Sequence, residues 1–84
     1  MVHLIQVEPF GDSWAVRSDQ IANDMIFRSG REAEAAAKRL GERLAAAGDF
    51  AEIRIHIRGG ALAGRFVCAP ADLATIRPLS LEPA

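Results

Sequence analysis

Residues 52–60 read EIRIHIRGG and contain the clearest strand pattern in the chain. Ile53, Ile55 and Ile57 alternate with charged or polar side chains. Because successive side chains of a β-strand point to opposite faces, the pattern predicts a strand over residues 52–58 with one apolar and one polar face. The isoleucine face needs a second layer to cover it, so this stretch decides the architecture.

The chain is predicted to turn back directly after this strand. Gly59 and Gly60 suit a two-residue hairpin turn, because glycine adopts positive φ without steric cost. Residues 61–68 would then return as a last strand that includes Leu62 and Phe66. Alanine and glycine dilute its apolar character, which favours an edge strand or a strand that faces a partner.

A helix is predicted over residues 31–47, just before the isoleucine strand. Ser29 and Glu32 have the spacing of a capping box, and no β-branched residue interrupts the segment. Gly48 is suited to ending the helix. Gly41 in the helix interior lowers helix stability by about 1 kcal/mol relative to alanine, and a close approach of the helix to the sheet would explain its presence. The apolar residues follow helical spacing and form one stripe: Ala33, Ala36, Ala37, Leu40, Leu44 and Ala47.

Three further strands are predicted before the helix, over residues 2–8, 14–18 and 21–28. Turn-forming residues separate the first two strands, which therefore suggest a hairpin. The chain is thus expected to be an α+β domain of two layers in the order β-β-β-α-β-β. A single helix would pack on a mostly antiparallel sheet of four or five strands, whose order the pattern leaves open. Six apolar residues are expected to join the isoleucines beneath the helix: Ile5, Val7, Trp14, Val16, Met25 and Phe27.

Length and composition point to one ordinary globular domain. The chain has 84 residues, half of them hydrophobic, and a net charge of −1. We expect the domain to cover residues 1–69, with a tail over 70–84 in which residues 72–76 are compatible with a short helical turn. The N-terminal residues lack a signal-peptide pattern and no apolar run reaches the length of a membrane span, so a cytoplasmic location without membrane contact is expected.

Two segments of the chain form a recognisable pattern. The first is Pro9 and then Trp14-Ala15-Val16, followed by Ser29 and Glu32-Ala33 at the start of the alanine-rich helix. The second is the segment 52–60 after the helix. Together they resemble a family of small bacterial domains, the one numbered 2188 among the domains of unknown function. The resemblance spans residues 3–60 and implies a β-β-β-α-β or similar fold with no assigned activity. The sequence departs from the family pattern after Gly60.

The polar face of the isoleucine strand suggests a binding surface. Arg54, His56 and Arg58 alternate on that face, and Arg17 of the second predicted strand would share it. These four residues are the predicted binding site, on the sheet face opposite the helix. A basic face of this kind can contact phosphates, but with a net charge near zero it is also compatible with simple solvent exposure. Glu52 lies in the same row and weakens the case for nucleic acid.

The same face is also predicted to hold apolar side chains, which favours protein association. Leu4, Ala15 and Ile26 would lie beside the arginines, a mixture that is unusual for a plain solvated surface. We therefore expect a non-enzymatic domain that acts through self-association, as a dimer, or through contact with another protein. The alternative is a nucleic-acid-binding accessory domain that uses the basic face.

Residues with catalytic or metal-binding potential are few and scattered. His3, His56 and Cys68 fall on separate predicted elements with no spacing typical of a metal site. Cys68 could pair with a histidine as a nucleophile, but no third group that would orient such a pair is apparent. No catalytic residues, metal or cofactor are therefore predicted.

Overall fold

The predicted two-layer α+β architecture is confirmed by the structure, a computed structural model that describes residues 2–70. Five strands form one sheet in the order β3-β2-β1-β4-β5, and a single helix packs on one of its faces. The elements follow the predicted β-β-β-α-β-β order: β1 (Val2–Phe10), β2 (Ser13–Ser18), β3 (Met25–Phe27), α1 (Gly30–Ala46), β4 (Phe50–His56) and β5 (Leu62–Cys68).

The central pair of strands is the only parallel one in this sheet. β1 runs parallel to β4, with Ile5 opposite Ile53, whereas the other three neighbouring pairs are antiparallel. The chain reaches β4 by crossing over the sheet through α1, which a parallel connection requires. In the strand order β1 is central, β2 and β4 lie on either side of it, and β3 and β5 form the two edges.

The core lies between α1 and the middle of the sheet. Ile5, Val7, Val16 and Ile53 are fully buried and are the largest side chains to be so. Alanines and Leu40 of the helical stripe close over them. Five of the predicted core residues beyond these pack around the margin, partly buried: Trp14, Met25, Phe27, Leu44 and Ile55.

The prediction for the third isoleucine is wrong. Ile53 faces the helix and Ile55 is half-buried, as expected, but Ile57 is 47% exposed. β4 ends at His56, after an irregularity in its pairing with β5 between Ile55 and His56. Ile57 consequently belongs to the connecting loop and no longer follows the alternation of the strand.

The loop after β4 is longer than the predicted two residues. The Ile57 N–H donates to the Ala61 carbonyl (2.9 Å), and the Gly60 N–H donates to the Ile57 carbonyl (3.0 Å). Gly59 and Gly60 have φ of +94° and +88°, which explains why glycine occupies both positions. Arg58 therefore lies in this loop, and its predicted place in the strand is wrong.

Both ends of α1 are capped at the predicted residues, although the Glu32 carboxylate accepts from the Ser29 hydroxyl and not from a backbone N–H as in the predicted capping box. The Ser29 hydroxyl accepts a hydrogen bond from the Glu32 N–H at 3.2 Å and donates to the Glu32 carboxylate at 3.3 Å. At the other end Gly48 has φ of +99°, and the Asp49 N–H donates to the Leu44 carbonyl. The helix is thus delimited by local side-chain and backbone chemistry, which is why its bounds could be predicted closely.

Gly41 marks the closest approach of the helix to the sheet. A Cβ atom at this position would lie 2.8 Å from Cys68 Sγ and 3.3 Å from Ile53 Cδ1. Only glycine lets the helix sit this low over β4 and β5, which confirms the expected reason for an interior glycine. At the start of the helix, Gly30 leaves room for the indole of Trp14. A Cβ atom at position 30 would lie 3.1 Å from the nearest ring atom of that indole.

The third strand is shorter than predicted, and most of the predicted tail lies outside the described residues. The third strand is limited to Met25–Phe27 instead of the predicted residues 21–28, because the preceding residues form turns and bends. The expected helical turn over residues 72–76, with most of the predicted tail 70–84, falls outside the described residues.

Candidate interaction surface

The sheet face turned away from α1, here called the open face, carries a row of polar residues across four strands. Gln6 of β1 pairs with Arg17 of β2 on one side and with Arg54 of β4 on the other. Arg54 in turn pairs with Arg65 of β5. The structure therefore brings two predicted site residues, Arg17 and Arg54, into one row together with Arg65.

Two carboxylates neutralise Arg17 at one end of this row. Its Nη1 lies 2.8 Å from Glu8 Oε1, and its Nε lies 2.9 Å from Asp24 Oδ2. Asp24 comes from the turn region before β3, so the guanidinium is held from two directions. Arg17 is thus already engaged by the chain's own acids, although its side chain remains partly exposed.

Glu52 neutralises the other end of the row. One of its carboxylate oxygens, Oε2, lies 2.6 Å from Arg54 Nε and 3.4 Å from Arg65 Nε. The hydrogen bond from Arg54 lowers the pKa of Glu52 below its usual range, and the charges of both arginines act in the same direction. The three arginines of this row are thus matched by three carboxylates, and the row has no excess positive charge for a polyanion.

The remaining two predicted site residues lie at one end of the open face. His56 is the last residue of β4, and its Nε2 is buried without a hydrogen-bond partner among residues 2–70. Arg58 reaches from the loop and donates to the Gly11 carbonyl at 2.8 Å. Both side chains line a depression that Gln6 and Glu8 also border. Arg58 is therefore used within the fold, where it ties the β4–β5 loop to the β1–β2 turn.

The most exposed apolar segment is the edge strand β5. Leu62, Phe66 and Val67 are 53%, 40% and 57% exposed, so that neither face of the strand is well covered. Arg65 is the only charged side chain in the strand. Within residues 2–70 no strand pairs with the outer side of β5. Its role as an edge strand, predicted from its diluted composition, is confirmed.

Contacts with α1 hold β5 in place from the helix side. Phe66 pairs with Ile53 across the sheet and so projects toward the helix layer. Lys38 of α1 places its ammonium 4.3 Å from the centre of the Phe66 ring, a cation–π contact that the sequence did not suggest. Lys38 also pairs with Glu34 at 3.0 Å. The strand is thus ordered by the helix while its outer side stays open.

The opposite edge of the sheet offers much less backbone. β3 has three residues, whereas β5 has seven. Ile26 of β3 is 51% exposed, so the edge has some apolar surface, but a partner strand would find few backbone groups to pair with. β5 therefore offers more unpaired backbone groups to an added strand than β3 does, and it is the better template for strand addition.

The reactive residue types lie on three neighbouring strands, β1, β4 and β5, and His3 and Cys68 share one row of the sheet with Ala51 between them. His3 is buried near one end of β1, with its Nε2 3.3 Å from Asp49 Oδ2. Cys68 packs against Gly41, and burial, together with the Glu42 charge, raises the pKa of its thiol. Within residues 2–70 no three histidine, cysteine or acidic side chains are grouped so that they could hold a metal ion.

Comparisons of the chain with models of protein families, with curated proteins and with solved structures found no match. Among the described residues, no helix has the length and apolar character needed to cross a membrane. Function is therefore inferred from the geometry of the chain's own residues.

Proposed function

We propose that this domain is non-enzymatic and acts through association, using the outer edge of β5 to form a dimer. The observation that carries the proposal is a seven-residue edge strand with three exposed apolar side chains. An open edge presents a row of unpaired N–H and C=O groups, and these bind a strand from another chain.

Within residues 2–70, nothing covers the outer side of β5, and the strand has few of the features that usually prevent such pairing. Proteins protect exposed edges with lysine, proline, charged residues that point inward or a covering segment. β5 contains neither lysine nor proline, and its single arginine is paired with Glu52. A strand of this kind favours association over permanent exposure.

The small core gives a second reason. Among residues 2–70 the largest side chains that are completely buried are four: Ile5, Ile53, Val7 and Val16. A domain of this size has a narrow margin of stability, and binding that covers more apolar surface increases it by mass action. Association through β5 would remove Phe66 and Val67 from water.

Nucleic-acid binding, the alternative function, has less support. It requires free guanidinium groups on the open face, whereas Arg17, Arg54 and Arg65 each lie within ion-pair distance of a carboxylate. Arg58, which has no carboxylate among these pairs, donates to the Gly11 carbonyl. We further propose a cytoplasmic location, which suits the single cysteine, Cys68. Membership of the domain family numbered 2188 stays a prediction.

Sedimentation of two matched double variants tests the proposal. Leu62→Lys with Val67→Lys places two charges on the β5 edge, and Val2→Lys with Ile26→Lys places two at positions of similar exposure elsewhere. We expect the natural chain to form dimers at micromolar concentration. The β5 variant is expected to weaken dimers by about tenfold or more, because lysine ammonium groups must be desolvated at the interface.

The control variant should sediment like the natural chain. Circular dichroism would verify that both variants keep their fold, since all four positions are exposed. A natural chain that stays monomeric at every accessible concentration, or equal loss of dimer in both variants, contradicts the proposal.

A further inference from the structure

We infer that the strand that pairs with β5 is β5 of a second copy of this chain, antiparallel to it and centred on Phe66. This inference rests on the proposed function and specifies its partner and geometry. Both copies would contribute the same residues to the contact, related by a two-fold axis perpendicular to the sheet.

The unequal edges of the sheet favour this partner. A β5 edge that paired with β3 of another copy would match seven residues with three and leave the new β5 free to bind again. Such head-to-tail pairing propagates into open filaments, whereas β5 with β5 closes after two copies. The β5–β5 dimer also leaves neither copy with its longer edge strand unpaired.

The charge on β5 does not prevent pairing with a second copy. Its one cation, Arg65, lies 3.4 Å from Glu52 of the same chain, a carboxylate that Arg54 shares at 2.6 Å. Lys38, which flanks the strand beside Phe66, is paired with Glu34. Each copy therefore brings a single uncompensated positive charge to this edge, which two copies tolerate where their Arg65 side chains are kept apart.

The position of Arg65 excludes the register that would match all seven residues of the two strands. A pairing centred on Arg65 would place the two guanidinium groups directly opposite each other, and like charges in that position are unfavourable. Centring on Phe66 instead places Arg65 opposite Val67 of the second copy and brings the two Phe66 rings together. The ladder then still includes residues 64–68 of both copies.

The resulting assembly is one continuous sheet of ten strands, since each copy has five. Directly opposite residues of antiparallel strands point to the same face, so both helices lie on one side of this sheet. The two open faces join on the other side. The buried apolar residues at the seam are Phe66 and Val67 of each copy.

The register predicts a specific disulfide between copies. Residue 64 lies opposite residue 68 of the second copy, so Gly64→Cys would face the native Cys68. Opposite Cα atoms in antiparallel strands are about 4.5 to 5.5 Å apart, within the range of a disulfide. Gly64 tolerates the change, because an added Cβ would have its nearest neighbours, Ile55 Cδ1 and Phe66 Cε2, at 3.9 Å.

Oxidation with diamide followed by a non-reducing gel tests this register. Gly64→Cys is expected to form covalent dimers, and peptide mapping should find residue 64 joined to residue 68. Two controls should stay uncrosslinked: the natural chain and the double variant Gly64→Cys with Cys68→Ala. In both, the identical cysteines of the two copies are separated by four residues along the strand, about 13 Å.

The outcomes separate this inference from the proposed function. If sedimentation shows dimers but no disulfide forms between residues 64 and 68, the register is wrong while the proposed association is retained. Crosslinking in either control also overturns the register. A natural chain that is monomeric in solution overturns both the register and the proposed function.

Discussion

Replacement of Ile53 by alanine is expected to lower the free energy of unfolding by about 3 to 4 kcal/mol, a large share of the stability of so small a domain. Ile53 is fully buried at the centre of β4, where it pairs with Ile5 of β1 and meets α1 at Gly41. Alanine would leave a cavity between the two layers that the helix, fixed by its contacts on both sides, cannot collapse to fill. Urea unfolding followed by circular dichroism measures the change.

Ile57→Ala is the matched control for this prediction. Ile57 lies four residues after Ile53, in the loop that follows β4, and its side chain is 47% exposed. The substitution therefore removes the same atoms from a side chain that is largely in water. We expect a loss below about 0.5 kcal/mol there. Ile53→Val, with an expected loss of about 1 kcal/mol, keeps the test valid if the alanine variant does not fold. Equal losses at positions 53 and 57 would contradict the observed end of β4.

Gly41→Ala is expected to destabilise the domain by about 1 kcal/mol, although alanine is the better helix former. Helix propensity favours the variant by about 1 kcal/mol, but overpacking in a filled core costs about 1 to 3 kcal/mol. The steric cost arises because the new Cβ would lie 2.8 Å from Cys68 Sγ. The sulfur must move, and Ile53 Cδ1 must yield by a few tenths of an ångström.

A double-mutant cycle with Cys68→Ala identifies the cause. Removal of Sγ leaves Cys68 Cβ at 3.6 Å from the added methyl group, an ordinary contact. In the Cys68→Ala background, Gly41→Ala should therefore become neutral or stabilising, by up to about 1 kcal/mol. The same loss in both backgrounds, measured by urea unfolding, would show that the sulfur does not set the limit on helix approach.

The helix and the central strand could be predicted because their signals are local. Ser29, Glu32 and Gly48 act within one turn of the helix ends, and the Ile53 alternation depends only on the geometry of an extended chain. Gly41 was also interpretable, since an interior glycine in an otherwise strong helix implies a close neighbour. The identity of that neighbour, Cys68, depends on tertiary packing.

The errors lie where the pairing of strands overrides local pattern. Ile57 and Arg58 continue the alternation of β4 in the sequence, but the irregularity between Ile55 and His56 ends the strand before them. The side-by-side position of β1 and β4 was likewise not predictable, because it depends on how α1 returns the chain across the sheet.

The electrostatics of the open face were only partly predictable. Glu52 and Arg54 are two residues apart on one strand and therefore share a face, which already weakened the case for a free basic surface. The other ion pairs join residues distant in sequence, such as Arg65 with Glu52 and Arg17 with Glu8. They follow from strand register, which a single sequence does not specify.

Amide hydrogen exchange at low and high protein concentration tests most directly whether the β5 edge is the association surface. Protection of the β5 amides, over Leu62–Cys68, is expected to rise as dimers form, while that of the other edge strand, β3, stays constant. If the β5 amides exchange at the same rate across the whole concentration range, or if only β3 gains protection, β5 does not mediate association.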